Sequence, residues 1–413
     1  MAEEAVDGGG RRGARRGVGA VALLLVGTFG ISLSYGMMLL LPLYVRELGG
    51  NEADFGVVLS SAALPAVLCI GLLIRYPEVL RPHSVVALAI AVYAAAAAGA
   101  SLVSGIWAPL IGFGVLLGTA WAVVYTATPM VLSGMVTDEG RAAYFGYLTG
   151  TQQVGIGAGP VLARFLVDTD LGFRGTFLAA GAVCLAAAAL TVAVGFLTPD
   201  PLVGRAADAR GAEPGATFGE AIGRIVRSEA VFSLAMVMLF ACLFTALTQF
   251  QTTFASARDL DYSVFYIAYT VAVIASRFGL APLASSLDTR LVIAASVSIM
   301  AIAVAGFLFV GSSLTLYGAV SACVGLGYGL ALPSVQAQAV NVSDEEVRPR
   351  VLPLAGLLFQ AAMLIFPLVA GWLIAAFGYP ALFAVLVSFA AAQAAIAWWR
   401  YSAARKVAGR RAP

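Results

Sequence analysis

The chain has 413 residues, of which 61% are hydrophobic and only 11% charged, and its mean hydropathy is +0.93. That composition excludes a water-soluble globular protein. A formal net charge of +2 spread over so apolar a chain is no nucleic-acid footprint; the basic residues read as topology signals, able to touch anionic headgroups.

A helix needs about 20 apolar residues to cross the roughly 30 Å hydrocarbon core. Runs of that length recur along the whole chain, at 18–45, 54–75, 83–103, 107–133, 141–167, 174–197, 230–256, 262–285, 289–310, 313–340, 349–375 and 379–400. They predict an all-α, polytopic membrane protein with twelve transmembrane helices, and no soluble domain or signal-peptide cleavage site follows the first run. With these spans, 20 of the 24 basic residues fall on one side and only Arg46, Arg164, Arg174 and Arg258 on the other, which predicts both termini in the cytoplasm. The four cysteines, Cys69, Cys184, Cys242 and Cys323, lie inside apolar runs and read as small packing residues rather than disulfides. A single lysine against 23 arginines, with abundant alanine, points to a GC-rich prokaryotic genome and so to a plasma (inner) membrane.

Between the sixth and seventh runs lies a polar, proline-containing segment that divides the helices six and six. The expected organisation is a tail at 1–17, a six-helix bundle at 18–197, a central loop at 198–229, a second bundle at 230–400 and a tail at 401–413. Inside the loop, Phe218, Ala221, Ile222, Ile225 and Val226 share one helical face, with Glu220, Arg224 and Arg227 opposite, which predicts a short helix on the membrane interface. The halves echo each other at offsets of about 204 to 212 residues: Leu41–Leu48 with Thr252–Leu260, Thr128-Pro129 with Leu332-Pro333, and Gly172-Phe173-Arg174 with Gly378-Tyr379-Pro380.

Helix five carries five glycines and a proline in the stretch GYLTGTQQVGIGAGPVLARF, at a nominal cost of about 1 kcal/mol per glycine and about 3 for the proline in a soluble helix. In a membrane the same residues have a use. Gly155 and Gly159 are spaced i, i+4, and with Ala163 they lay a smooth strip along which a neighbouring helix can approach closely; Pro160 removes a backbone donor and bends the helix.

Twelve helices as six plus six, a long central loop and a repeat of about 200 residues resemble the major facilitator superfamily of secondary transporters. The resemblance implies two pseudo-symmetric six-helix bundles enclosing a central cavity that opens to one side at a time. Gly146, Gly155 and Gly159-Pro160 are similar to the helix-five antiporter motif of that superfamily's exporters, although Ala163-Arg164 replaces its final glycine pair. Other signatures are degenerate: Gly114 stands where the helix-four motif of proton-coupled exporters has arginine, and Gly71-Leu-Leu-Ile-Arg75 puts arginine where the loop motif after helix two has aspartate.

Polar residues inside the runs are the candidate solute-binding groups. They are Gln152 and Gln153 on helix five, Gln249 and Gln251 on helix seven and Gln360 on helix eleven, with Tyr35, Trp121, Tyr125, Tyr266 and Tyr269 as aromatic walls. Gln153 and Gln249 stand out, since an amide offers two donors and an acceptor without the desolvation cost of a charge; a glutamine bonded across helices is the alternative for each. All 22 acidic residues fall at helix ends or in loops, Asp54, Asp168 and Asp261 being the deepest, so no embedded carboxylate for proton coupling is evident. Arg75, Arg277 and Asp288 are gating candidates, with Arg277 expected to bond helix-end carbonyls or Asp288. Arg164 is placed to snorkel outward or to pair with Asp168, with an anion-binding group at the cavity mouth as the alternative, and His83 reads as solvated.

No phosphate-binding loop, metal cluster or buried acid pair is present in the sequence, so neither an enzyme nor an ATP-driven pump is expected, and no cofactor. The reading is a secondary transporter, most simply an exporter of a small, weakly polar or amphipathic solute. An importer or facilitator of a neutral metabolite such as a sugar or nucleoside, and a non-transporting sensor or assembly partner with the same fold, are the alternatives. The sequence leaves the coupling ion open, proton or sodium, and nothing in it demands more than a monomer.

Overall fold

A computed structural model describes residues 2–75, 82–136, 141–197, 218–280 and 286–411. Among them eleven helices are long and apolar enough to cross a membrane. In chain order, helix one is Gly19–Glu47, two Glu52–Leu73, three Pro82–Ala100, four Leu110–Met135, six Gly172–Leu197, seven Ala230–Gln249, eight Tyr262–Leu280, nine Thr289–Phe309, ten Leu314–Asn341, eleven Arg350–Phe377 and twelve Tyr379–Lys406. The helix Arg141–Val167 takes the fifth place and is long enough at 27 residues, about 40 Å at 1.5 Å per residue. Its glutamines, glycines and arginines keep its hydropathy below the others'. The short helix Phe218–Arg227 forms where the amphipathic pattern predicts one, with Ile225 buried and Val226 exposed.

Leucines at i, i+4 and i+8 on helix two, Leu64, Leu68 and Leu72, are exposed, as are Phe165, Ile302 and Phe309. In a bilayer these faces meet lipid, so apolarity does not separate inside from outside here; small residues and polar groups mark the interior instead.

The chain gathers into two compact units that cut across the expected halves. One comprises Met1–Met38, Ser61–Ser104 and Ala108–Glu213; the other comprises Leu39–Ser60, Gly105–Trp107 and Pro214–Pro413. The crossing points have local causes. Helix one tightens to a 3-10 turn at Met38–Leu40, just before Pro42, and helix two is interrupted by a turn after Ser60.

Within the units the packing repeats. Helix one packs on five as seven does on eleven, three on six as nine on twelve, three on four as nine on ten, and two on four as eight on ten. The loops repeat too. Six described residues have a left-handed backbone, and they pair across the chain as Gly49 with Asp259, Gly105 with Gly311, and Gly172 with Gly378. Each pair is about 206 to 210 residues apart, so the internal duplication suggested by short sequence matches is present in backbone conformation.

Candidate solute site and helix seams

In the first unit the helix-five strip lies against helix one. A Cβ on Gly155 would come within 2.7 Å of Ser32 Cβ, one on Gly36 within 2.6 Å of the Ile156 carbonyl oxygen, and one on Gly159 would collide with the backbone of Gly36. Three glycines on two helices thus bring backbone onto backbone, the geometry small-residue seams produce in lipid. Gly146, at the head of the motif, has open space where a Cβ would stand, so it takes no part in the seam. Pro160 sits inside the helix next to Gly159. Arg164 pairs with Asp168 at 3.8 Å, one of the readings its spacing allows.

Above this seam the polar candidates come in matched sets. Tyr35 of helix one stacks on Trp121 of helix four, with centroids 3.9 Å apart and an interplanar angle of 20°, and Tyr125 lies tilted beside Trp121 at 6.3 Å. In the second unit Phe244 of helix seven stacks on Tyr328 of helix ten, at 5.4 Å and 20°. The stacked pairs occupy equivalent helices, Trp121 and Tyr328 being about 207 residues apart.

The same offset relates Gln153 on helix five to Gln360 on helix eleven. Both are buried, and among the described residues the Nε2 of Gln153 and both amide atoms of Gln360 lack hydrogen-bond partners. A buried amide left unbonded costs about 1 to 3 kcal/mol, and here two stand at equivalent places of the repeat. Gln152 and Gln249 are buried as well.

Two other candidates are tied into the second unit. Gln251 Oε1 accepts the Tyr317 hydroxyl at 3.0 Å, and Tyr266 donates its hydroxyl to the Thr248 carbonyl at 2.6 Å. Both bonds are buried cross-links between helices, the alternative weighed for the glutamines. Tyr269 stacks on Phe265 at 5.6 Å and lies tilted to Tyr328 at 6.0 Å, extending the aromatic wall.

Among the gating candidates, the side chain of Arg75 lies outside the described residues. Arg277 falls in the π-helical turn Ser276–Leu280 that ends helix eight. Asp288 caps helix nine, accepting from the Arg290 backbone N–H at 2.9 Å, and among the described residues no ion pair joins it to Arg277. His83 is not simply solvated: it packs on helix six, where a Cβ on Gly195 would come within 2.6 Å of its Cδ2.

The structure adds a group that the sequence reading passed over. Of the acids thought deepest, Asp54 completes a capping box with Asn51, whose backbone N–H donates to it at 2.9 Å, and Asp261 caps helix eight at 2.9 Å. Among the described residues the buried carboxylate is Glu52, in the first turn of helix two. It is ion-paired with Arg46 and accepts the Tyr379 hydroxyl at 3.0 Å. Beside it Arg258 lies over the Phe254 ring at 3.9 Å and the Tyr379 ring at 5.5 Å, and burial there lowers its pKa from the ordinary arginine value.

This cluster fastens Leu39–Ser60 within the second unit, along a seam with helix eleven. A Cβ on Gly56 would meet the Pro367 carbonyl, and one on Gly371 would collide with the Glu52 carbonyl. Ser60 Oγ accepts from the Leu368 N–H at 3.1 Å, Thr252 donates to the Leu39 carbonyl at 3.3 Å, and Phe55 meets Phe250 edge to face at 5.4 Å.

The family model described as Major Facilitator Superfamily matches residues 23–360, with a second match over 280–413. The chain belongs to the major facilitator superfamily. Among solved structures it is similar to the nucleoside transporter NupG, in a variant form, at 15% identity with a TM-score of 0.70, covering 93% of this chain and 99% of that one. It is also similar to a bacterial homolog of the human lysosomal transporter Spinster, in its inward-facing and unoccupied conformation, at 15% identity and a TM-score of 0.64, covering 92% and 94% of the two chains. At such identities the likeness is one of fold. No curated protein matches the chain. Membership makes this superfamily protein a membrane transporter rather than an enzyme.

Proposed function

We propose that this superfamily member is a secondary active transporter that works by alternating access and exports a small, weakly polar or amphipathic solute. The observation that carries the reading is the pair Gln153 and Gln360, buried amides with unused hydrogen-bonding capacity at equivalent places in the repeat. Each unit carries one such glutamine and one aromatic stack, Tyr35–Trp121 in the first and Phe244–Tyr328 in the second, so each offers neutral polar groups and flat aromatic faces. Such groups suit a ligand with a few polar atoms on an apolar body, and suit a strongly charged one poorly.

Export is supported by the spacing of Gly146, Gly155 and Gly159-Pro160. Placement in a prokaryotic plasma membrane with both termini in the cytoplasm rests on the arginine-rich composition and the one-sided basic residues. Alternating access needs contacts that can part, and the polar contacts of Glu52 with Arg46 and Tyr379 inside the second unit are candidates for such a step.

The test is cell-associated solute across a panel of drugs, sugars and siderophore-like compounds, in a bacterial strain stripped of its major exporters. Wild type is compared with Gln360→Leu at matched membrane levels. Depletion of one compound class by wild type alone supports export. Accumulation would replace export by import, and equal levels across a panel that includes compounds bound by the purified protein would overturn transport through this site.

A further inference from the structure

A second polar site lies at the end of helix twelve, lined by none of the candidate solute residues. A cleft of about 500 Å³ opens there between helices seven, nine and twelve. Arg290 and Arg400 reach it from two helices, Phe232 and Trp399 wall it, and Glu229, Ala403 and Ala404 complete its lining. The rings of Phe232 and Trp399 meet edge to face at 5.2 Å, and the Arg400 guanidinium stands 5.8 Å from the Phe232 centroid.

Arg400 is fixed. Buried to 8% exposure, it donates to the Glu229 main-chain carbonyl at 3.1 Å, the Glu229 carboxylate at 3.2 Å and the Ser233 hydroxyl at 3.3 Å. Its only carboxylate partner among the described residues is 72% exposed, so water shares that negative charge. The guanidinium of Arg290 has no carboxylate partner within ion-pair distance among the described residues, and Asp288 of the same helix serves as its N-cap. Among the described residues that line the cleft, two guanidiniums face one solvated carboxylate, an excess of one positive charge.

We propose that this cleft binds the phosphate of an anionic glycerophospholipid. A phosphodiester carries the single negative charge that balances the site, and arginine forks match its oxygens in pairs. A lipid is favoured over a soluble phosphate by position. The apolar run of helix twelve gives way here to Trp398, Trp399 and Tyr401, then to the exposed Arg405 and Lys406, the succession of an aromatic belt and a headgroup layer. Trp398, whose indole N–H donates to Ser298 at 3.0 Å, and the exposed Trp399 put ring surface where acyl chains begin. The site is independent of transport direction and solute.

The experiment uses the full chain, reconstituted in equal amounts of phosphatidylglycerol and phosphatidylcholine and then released for native mass spectrometry. Wild type should retain phosphatidylglycerol selectively, and Arg290→Gln should reduce the retained fraction about fivefold, the loss of one cation near a headgroup. An equal reduction in Arg405→Gln would overturn the cleft in favour of a diffuse basic surface. A companion measurement needs no variant: phosphatidylglycerol should raise the unfolding midpoint of detergent-purified wild type while phosphatidylcholine does not. Equal shifts from both lipids would overturn the proposal, and the same shift from millimolar inorganic phosphate would overturn its lipid part and leave a soluble phosphate site.

Discussion

The carboxylate of Glu52 accepts the hydroxyl of Tyr379 at 3.0 Å across 327 residues of chain, and Arg46 pairs with the same oxygen. Helix two begins at this residue, so the carboxylate is also aligned with the helix N-terminus. Charge-assisted hydrogen bonds of this kind contribute about 1.5 to 3 kcal/mol each. Glu52→Gln keeps the shape and removes the charge. It should therefore release Leu39–Ser60 from helix eleven in a population raised about tenfold or more. Nitroxides at Glu47 and Ala376, both exposed, report it as growth of a longer distance by pulsed electron resonance. An unchanged distance distribution would mean that the glycine seam, rather than the ion pair, holds the segment.

The glycines of helix five give a sharper contrast. Gly159 meets the backbone of Gly36 inside one unit, so a side chain there has no neighbouring rotamer to push aside. Gly159→Val should separate helices one and five and lower stability by about 3 kcal/mol or more, the upper range for overpacking. Gly146→Val belongs to the same motif by spacing but meets open space, and should leave folded yield and unfolding temperature nearly unchanged. Equal damage from both would show that the motif is read by something other than the seam with helix one.

Some of this was legible in sequence because the signal was redundant. Each span is a run of about 20 apolar residues bounded by charge, and small-residue spacing found the helix-five strip without naming its partner. Glu52 was not legible in the same way. It stands in Gly-Gly-Asn-Glu-Ala-Asp beside Asp54, and hydropathy treats the two acids alike. The spacing Asn51-x-x-Asp54 is a capping box and would have assigned Asp54 to the cap, leaving Glu52 to be explained. Its partner Tyr379 belongs to another helix and could not be found from local pattern. Nor could periodicity tell Gln360, whose amide is unbonded, from Gln251, which receives a tyrosine hydroxyl. That difference is purely tertiary.

The repeat of backbone conformation makes a small, separate prediction. Asp259 takes φ +54° where its counterpart in the first half is Gly49, at φ +82°. A left-handed backbone costs a non-glycine residue about 1 to 2 kcal/mol, with less penalty for Asp than for most residues. Asp259→Gly should therefore stabilise the folded chain by up to about 1 kcal/mol, after the greater freedom of glycine in the unfolded chain is subtracted. Thermal unfolding in detergent measures it, and a lowered midpoint would show that the Asp259 side chain has a role that outweighs its backbone strain.

The glutamines separate a binding role from a structural one by the sign of the stability change. Gln153 and Gln360 are buried with amide atoms unbonded among the described residues, so Leu at either place removes a desolvated group and gives up no protein hydrogen bond at Gln360. Gln360→Leu should raise the unfolding free energy by about 1 to 3 kcal/mol while abolishing solute transport. Gln251→Leu should do the reverse: it orphans the buried Tyr317 hydroxyl, bonded at 3.0 Å, and should cost a similar amount of stability. Unfolding midpoints and transport rates measured on the same preparations decide the matter. A Gln360→Leu protein that is more stable and still transports would remove Gln360 from the solute site, because the residue would then carry a cost with no function to set against it.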